Sequence, residues 1–321
     1  MREFQLIRQI QQGTSIDFST GLDSGVRLGI GDDAAVLELA AGEQLVAATD
    51  TLNIGVHFPI DTSPYDIGYK SLAVNLSDMA AMGARPRWAL LSLSLPEAKP
   101  EWMQSFVAGF MSLASVHNVS LVGGDTTSGP LSISLTALGV IEPGAQLTRG
   151  GASPGDLLVV SGTVGGAARV LDLLQSGKPV EEQHLLNRPK PRVELGRALV
   201  GYASACIDIS DGLLADTGHV ILASGCAAKL DIAALPQANI LNGLQDEMRW
   251  RYQLSGGDDY ELLFTLPRSH EAMIANWTQS LGIKLTVIGE IEAGEGVRCI
   301  NPDGTEYHPQ NAGFEHFSQV S

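Results

Sequence analysis

The 321-residue sequence predicts an α/β or α+β protein in two domains. Three observations lead there. Segments with strand periodicity interleave with helical ones through the first half. Glu142-Pro143-Gly144 then breaks the pattern, leaving a domain's length of chain on either side. The 44% hydrophobic content supplies a core for both.

Residues 4–12 read as a short amphipathic helix and residues 13–29 as a polar, glycine-containing loop. In Gly29-Ile30-Gly31-Asp32-Asp33-Ala34-Ala35-Val36, two glycines permit unusual backbone angles just before two adjacent carboxylates. Leu45–Thr49 reads as a strand ending in Asp50-Thr51, with His57 in the next loop. Ser63-Pro64 has the form of an N-cap and a first-turn proline. These two residues open the helix around which the chain is organised. Leu72, Leu76, Met79 and Gly83 stack on one face, and Ser71, Asn75, Asp78 and Met82 form a stripe beside it. Most of the remaining surface is Ala, Val or Met, so this helix is expected to be buried on most sides. Its lone carboxylate, Asp78, then needs an arginine, a set of N–H donors or a cation.

Trp88–Leu95 alternates leucine with serine, the mark of a half-buried strand. Pro100 starts a helix with Trp102, Phe106, Phe110 and Leu113 on one face. Val119–Val122 is a strand running into Gly123-Gly124-Asp125-Thr126-Thr127, and Leu131–Val140 alternates again. In the second half, Asp156–Val160 is a strand followed by Ser161-Gly162-Thr163-Val164-Gly165-Gly166 and a helix. Such a glycine turn can bind phosphate at the helix N-terminus, but alone it is more often the form of a plain tight turn. Ala205–Ile209 is a strand entering Ser210-Asp211-Gly212-Leu213 and another helix. Ser255-Gly256-Gly257-Asp258-Asp259-Tyr260-Glu261 precedes the strand Leu262–Thr265. Leu285–Ile288 and Val297–Ile300 are further strands, and Pro302-Asp303-Gly304 is a turn.

The net charge of −16 and the absence of any basic stripe argue against nucleic-acid binding. The three cysteines, Cys206, Cys226 and Cys299, lie far apart and form no CxxC pair, which fits a reducing compartment and argues against structural zinc. No apolar run is long enough to span a bilayer, and the first residues lack a signal-peptide pattern. A soluble cytoplasmic protein is the expectation.

The recurring chemical event is an aspartate at a strand end or beside paired glycines: Asp32/Asp33, Asp50, Asp125, Asp208/Asp211 and Asp258/Asp259. Hard oxygen ligands of this kind suit Mg²⁺ or Ca²⁺. Thr49, Thr51, Thr126 and Ser210 stand beside them as further oxygen donors. Mg²⁺ is usually held by few carboxylates plus phosphate oxygens and waters, so the pattern reads as a site for phosphorylated ligands bridged by metal. Arg149, in Leu147-Thr148-Arg149, is a direct phosphate partner of the right chemistry. Any one of these motifs alone is also what an ordinary turn, ion pair or surface arginine would show. The usual kinase signatures, GxxxxGK[ST], HRD and DFG, are missing, as is a Ser-His-Asp or Cys-His nucleophile set.

Ile30-Gly31-Asp32-Asp33-Ala34, Thr49-Asp50-Thr51-Leu52, Val74–Ala84, Gly123–Thr127, Leu147-Thr148-Arg149, Asp208–Leu213 and Ser255–Leu262 occur in this order. Together they closely resemble the thiamine-monophosphate kinase family, within the aminoimidazole-ribonucleotide-synthetase-like superfamily. The likeness runs nearly end to end, through Gly313-Phe314-Glu315-His316-Phe317. It implies ATP-dependent phosphorylation of thiamine monophosphate to thiamine diphosphate, several Mg²⁺ ions per site, and a homodimer. It also implies an N-terminal domain, residues 1–142, with a mixed sheet and helices, which binds metal and ATP and forms the dimer. A C-terminal α/β domain, residues 143–321, would complete the substrate and nucleotide site. Carried over by motif position, Asp33, Thr49, Asp50, Asp78, Asp125, Asp208 and Asp211 are metal ligands, with Asp78 the catalytic centre. Gly124, Asp125, Arg149 and Ser210 line ATP, and His57, Asp258 and Phe314 contact the thiamine phosphate. Two positions depart from the family pattern: Ala48 replaces a hydroxyl residue, and Asp258 stands where glutamate is frequent. Selenophosphate synthetases of the same superfamily typically carry an N-terminal Cys or selenocysteine, and here no cysteine precedes Cys206.

Overall fold

A computed structural model describes residues 10, 12–13, 25–30, 33–311 and 313–314. It divides into two compact units, Met1–Met79 with Ala84–Ala145, and Ala80–Gly83 with Gln146–Ser321. Most of the helix expected over residues 4–12, the Gly31-Asp32 pair and the chain end from Glu315 lie outside the described residues.

The first unit is a four-stranded mixed sheet of β3 (Gln44–Asn53), β4 (Arg85–Leu95), β5 (Ser120–Ser128) and β6 (Ser132–Ile141), in the order β3-β6-β4-β5. Only β4 and β5 run parallel, and the crossover between them carries α2 (Pro100–His117). The central helix, α1 (Pro64–Ala81), starts as its sequence dictates. The Ser63 hydroxyl oxygen accepts the Asp66 N–H at 3.1 Å. Leu72, Ala73, Leu76, Met79 and Ala80 are fully buried. α1 and α2 cross in close contact. A Cβ on Gly68 would stand 2.0 Å from the Phe106 carbonyl oxygen, and one on Gly109 would stand 1.8 Å from that of Tyr65. Trp102 stacks on Phe106 beside this crossing, with ring centroids 5.3 Å apart.

Strand alternation gives this sheet two unlike faces. Val46, Ala48, Asp50 and Leu52 share the α1 side, where Met79 lies against Gly139 of β6. Thr49 and Thr51 lie on the other side, and their hydroxyls bond to Thr136 and Ser134 of β6. Part of that second face is covered by a small antiparallel pair, β1 (Val26–Leu28) and β2 (Val36–Leu37). Val26, Ala35 and Leu37 pack there on Trp88, Val122 and Val140. Strand β1 corrects the loop expected over residues 13–29: its three residues are too few to show a period, and the residues it packs on, Trp88, Val122 and Val140, are distant in sequence. Asp50 and Gly123–Thr127 also lie within strands, where ends or turns were expected. Edge strands need no unbroken apolar run to pair, so the apolar pattern stops before the ladder does.

The second unit holds a seven-stranded sheet. Its strands are β7 (Leu157–Ser161), β8 (Ala205–Asp208), β9 (Ala227–Asp231), β10 (Leu262–Leu266), β11 (Leu285–Glu292), β12 (Gly296–Ile300) and β13 (Glu306–Tyr307). Their order is β13-β12-β9-β11-β7-β10-β8, with β9–β12 the single parallel pair. Helices α3 (Gly166–Gln175), α4 (His184–Asn187), α5 (Val193–Leu199), α6 (Leu213–Ser224), α7 (Asp246–Ser255) and α8 (Ala272–Leu281) accompany it. Every residue of β7 and β10 is buried, which explains their continuous apolar runs. Leu158, Ile207, Ile209, Val220, Leu263 and Ile291 belong to the main core. The three cysteines are free and buried.

Candidate active site

In the first unit the structure brings together Asp50, Asp78 and His57. Asp50 leaves β3 on the α1 side, and its carboxyl group hydrogen-bonds with that of Asp78. Burial raises the Asp50 carboxyl above the usual range, against the pull of the Asp78 bond and the nearby His57. Two neighbouring carboxyl groups in such a place call for a shared proton or a cation. His57 is fixed by its own turn. Its Nδ1 accepts the Asn53 N–H at 3.0 Å, and its carbonyl accepts from Lys70 Nζ at 3.0 Å. A neutral His57 therefore carries its proton on Nε2 and presents it as a donor. Lys70 is 1% exposed. Sequence reasoning passed over it, although a lysine on a helix buried on most sides was the available signal.

Thr49 and Asp125 are not part of this cluster. The Thr49 hydroxyl faces away from Asp50 and bonds to Thr136. Asp125 on β5 aligns through Ser92 and Ser134 with Thr51, so its side chain shares the Thr51 face, and its Oδ1 accepts the Thr126 N–H at 2.8 Å. Gly124 precedes it on the same strand, and Asp33 is exposed just before β2.

In the second unit the chemistry gathers where β8 meets α6. Asp208 is buried at the end of β8. In the turn Ser210-Asp211-Gly212, all three N–H groups point to one acceptor, Asp216 Oδ2, at 3.1, 3.2 and 3.1 Å. Burial, and then Asp208 and Asp211, push the Asp216 carboxyl up to about 7. Asp211, Asp216 and His219 each offer a ligand atom, and these lie within 4.8 Å of one another. Asp258 and Phe314 reach the same turn through their backbones. The Asp258 N–H donates to Ser210 O at 2.9 Å, and the Phe314 N–H to Asp211 O at 2.9 Å. Gly257 lets the Asp258 loop approach, since a Cβ there would stand 2.4 Å from Ser210 O. Asp258 and Tyr260 hold positive φ values of 68° and 49°, a local strain that the surrounding bonds support.

Two further carboxylates of that loop are structural. Asp259 accepts the Gly165 N–H at 2.7 Å and the Ala167 N–H, at the start of α3. The acceptor at this helix N-terminus is thus the chain's own carboxyl group, which makes the preceding glycine segment a plain turn. Glu261 forms a two-pronged pair with Arg192 and accepts the Ser161 hydroxyl. Arg149 is exposed, and its carbonyl lies 3.4 Å from Ser224 Oγ at the far end of α6 from Ser210. The helix between them is about 18 Å long at 1.5 Å per residue, so the Arg149 backbone and the Ser210 turn lie at opposite ends of it.

A mixed sheet unit, a second mostly antiparallel sheet unit and aspartate-rich turns define the class. The model for the AIR synthase related protein N-terminal domain matches residues 31–141, and that for the C-terminal domain matches residues 153–300. The thiamine-monophosphate kinase of Salmonella typhimurium is 43% identical over 302 residues, covering 91% of this chain and 93% of that protein. The crystal structure of thiamine-monophosphate kinase from Stenotrophomonas maltophilia aligns with a TM-score of 0.86 at 45% identity, covering 96% of this chain and 98% of that one. A structure described as AaThiL complexed with AMPPCP and TMP aligns with a TM-score of 0.76 at 33% identity over 99% of both chains. The chain belongs to the thiamine-monophosphate kinase family.

Proposed function

We propose that this protein is an ATP-dependent kinase that converts thiamine monophosphate to thiamine diphosphate. The observation that carries the reading is the end-to-end likeness to AaThiL complexed with AMPPCP and TMP. A terminal phosphate oxygen of thiamine monophosphate attacks the ATP γ-phosphorus in line, and ADP leaves. A phosphate monoester is largely ionised at neutral pH, so the protein's task is to position and neutralise two anions.

Mg²⁺, when bound, supplies that neutralisation. The donor set fits it: all the candidate ligands are oxygens, and the neighbouring Asp50 and Asp78 carboxyl groups need a proton or a cation to balance them. Asp33, Thr49, Asp50, Asp78, Asp125, Asp208 and Asp211 are the residues that would hold several such ions among them, with Asp78 central. Gly124, Asp125, Arg149 and Ser210 bind ATP. His57 donates from Nε2 to the substrate phosphate, and Asp258 and Phe314 contact the rest of the substrate. Residues 1–142 bring the first group of ligands and residues 143–321 the second. Three buried free cysteines support a cytoplasmic location.

The working enzyme is a homodimer in this reading. Asp50 and Asp125 stand on β3 and β5, opposite edges of one sheet and opposite faces of it. Three strand spacings put them about 14 Å apart, far beyond what one ion's ligands can span. A second copy supplies the missing side, and the sheet face opposite α1 leaves Leu45 and Leu90 exposed for it.

Labelled ATP tests the activity. Label in thiamine diphosphate supports it, and tight Mg–ATP binding without transfer overturns it. For the dimer, Asp50→Ala and Asp125→Ala chains are mixed after separate inactivation. Partial recovery of turnover supports a shared site, and no recovery from a proven mixed dimer rejects it.

A further inference from the structure

Asp216 has no role in the site as the family motifs assign it, yet it is 2% exposed and bonded to three successive N–H groups. Each of those N–H groups lies in a peptide plane whose carbonyl is also engaged. The Ser210 N–H shares its plane with Ile209 O, which accepts the Tyr260 N–H at 2.8 Å. The Asp211 N–H shares its plane with Ser210 O, which accepts from Asp258. The Gly212 N–H shares its plane with Asp211 O, which accepts from Phe314. In a trans peptide the N–H and C=O point in opposite directions, and the plane turns as one body. Holding the N–H therefore aims the carbonyl.

We propose that Asp216 is a positioning residue: it clamps three consecutive peptide planes and thereby sets the backbones of Asp258 and Phe314 against Ser210 and Asp211. One carboxylate oxygen thus ties the turn assigned to ATP and metal to the two segments assigned to the thiamine phosphate. The geometry stands by itself, and its kinetic consequence rests on the proposed function.

Residue-resolved amide hydrogen exchange on the full chain, with steady-state kinetics, tests this. In Asp216→Ala, exchange at Ser210, Asp211 and Gly212 should rise about tenfold or more, as expected when a buried acceptor shared by three N–H groups is lost. Exchange at Asp258, Tyr260 and Phe314 should rise with it, while Leu263 in the sheet core stays slow. KM for thiamine monophosphate should rise several-fold, and Asp216→Asn, which keeps a carbonyl oxygen but loses the carboxyl, should show a smaller rise in KM and smaller but measurable rises in exchange. Unchanged exchange at Asp258, Tyr260 and Phe314 would overturn the proposal, as would a uniform rise that includes Leu263. If Asp216→Ala does not fold, Asp216→Asn is read in the same way: faster exchange at all six amides supports the clamp, and wild-type rates at the three distal ones reject it. Loss of phosphoryl transfer in the wild type would remove the proposed function without touching the exchange result.

Discussion

The carboxyl groups of Asp50 and Asp78 are hydrogen-bonded to one another, one from an edge strand and one from the helix laid over it. Neither could be placed there from its own neighbours in sequence. The contact sets two carboxyl groups side by side where a shared proton or a cation must balance them, and it makes Asp78 the first residue to test.

Asp78→Ala should remove turnover, by a factor on the order of 10² to 10³ or more, and leave the fold intact. Label transfer and thermal melting measure the two effects separately. The melting temperature should fall only modestly, because Asp50 loses the one side-chain bond that offsets its burial while the packing around it stays in place. Normal turnover by this variant would refute the assignment.

Lys70→Met should raise KM for thiamine monophosphate and leave KM for ATP close to its starting value. The lysine holds the His57 carbonyl at 3.0 Å, and without it the His57 turn loses its tether. Leaving that acceptor unpaired costs about 1–3 kcal/mol of stability, which urea unfolding reads. Equal shifts in both KM values would contradict this role.

Glu261→Gln should destabilise the chain by about 3–5 kcal/mol, because it leaves the Arg192 guanidinium poorly paired beside a buried partner position. Replacing both residues by apolar ones of similar size should cost less than the single change. Denaturant midpoints of the three variants decide the matter.

Asp259 governs a pH effect on stability. Its burial raises its carboxyl well above the ordinary range in the folded state, with Glu261 and Asp258 adding to the shift. The folded chain then holds a proton that the unfolded chain has released, so stability falls as pH rises from the ordinary carboxylate range toward the raised value. Asp259→Asn should flatten that slope. A stability profile with the same slope in both proteins would count against it.

Local sequence determined a good part of this protein. The Ser63-Pro64 helix start, the apolar faces of α1 and α2, and the buried runs of β7 and β10 follow from interactions within a few residues, where periodicity and capping are legible. The family likeness likewise resides in short ordered motifs. The tertiary structure alone decided that Asp50 meets Asp78 while Asp125 faces the other way, since that depends on strand order and register. It also decided that Asp259, and not a phosphate, occupies the start of α3, and that Asp216 clamps the turn at Ser210–Gly212. These are contacts between segments brought together by chain reversal, and no period or spacing along a single segment encodes which distant partner it will meet.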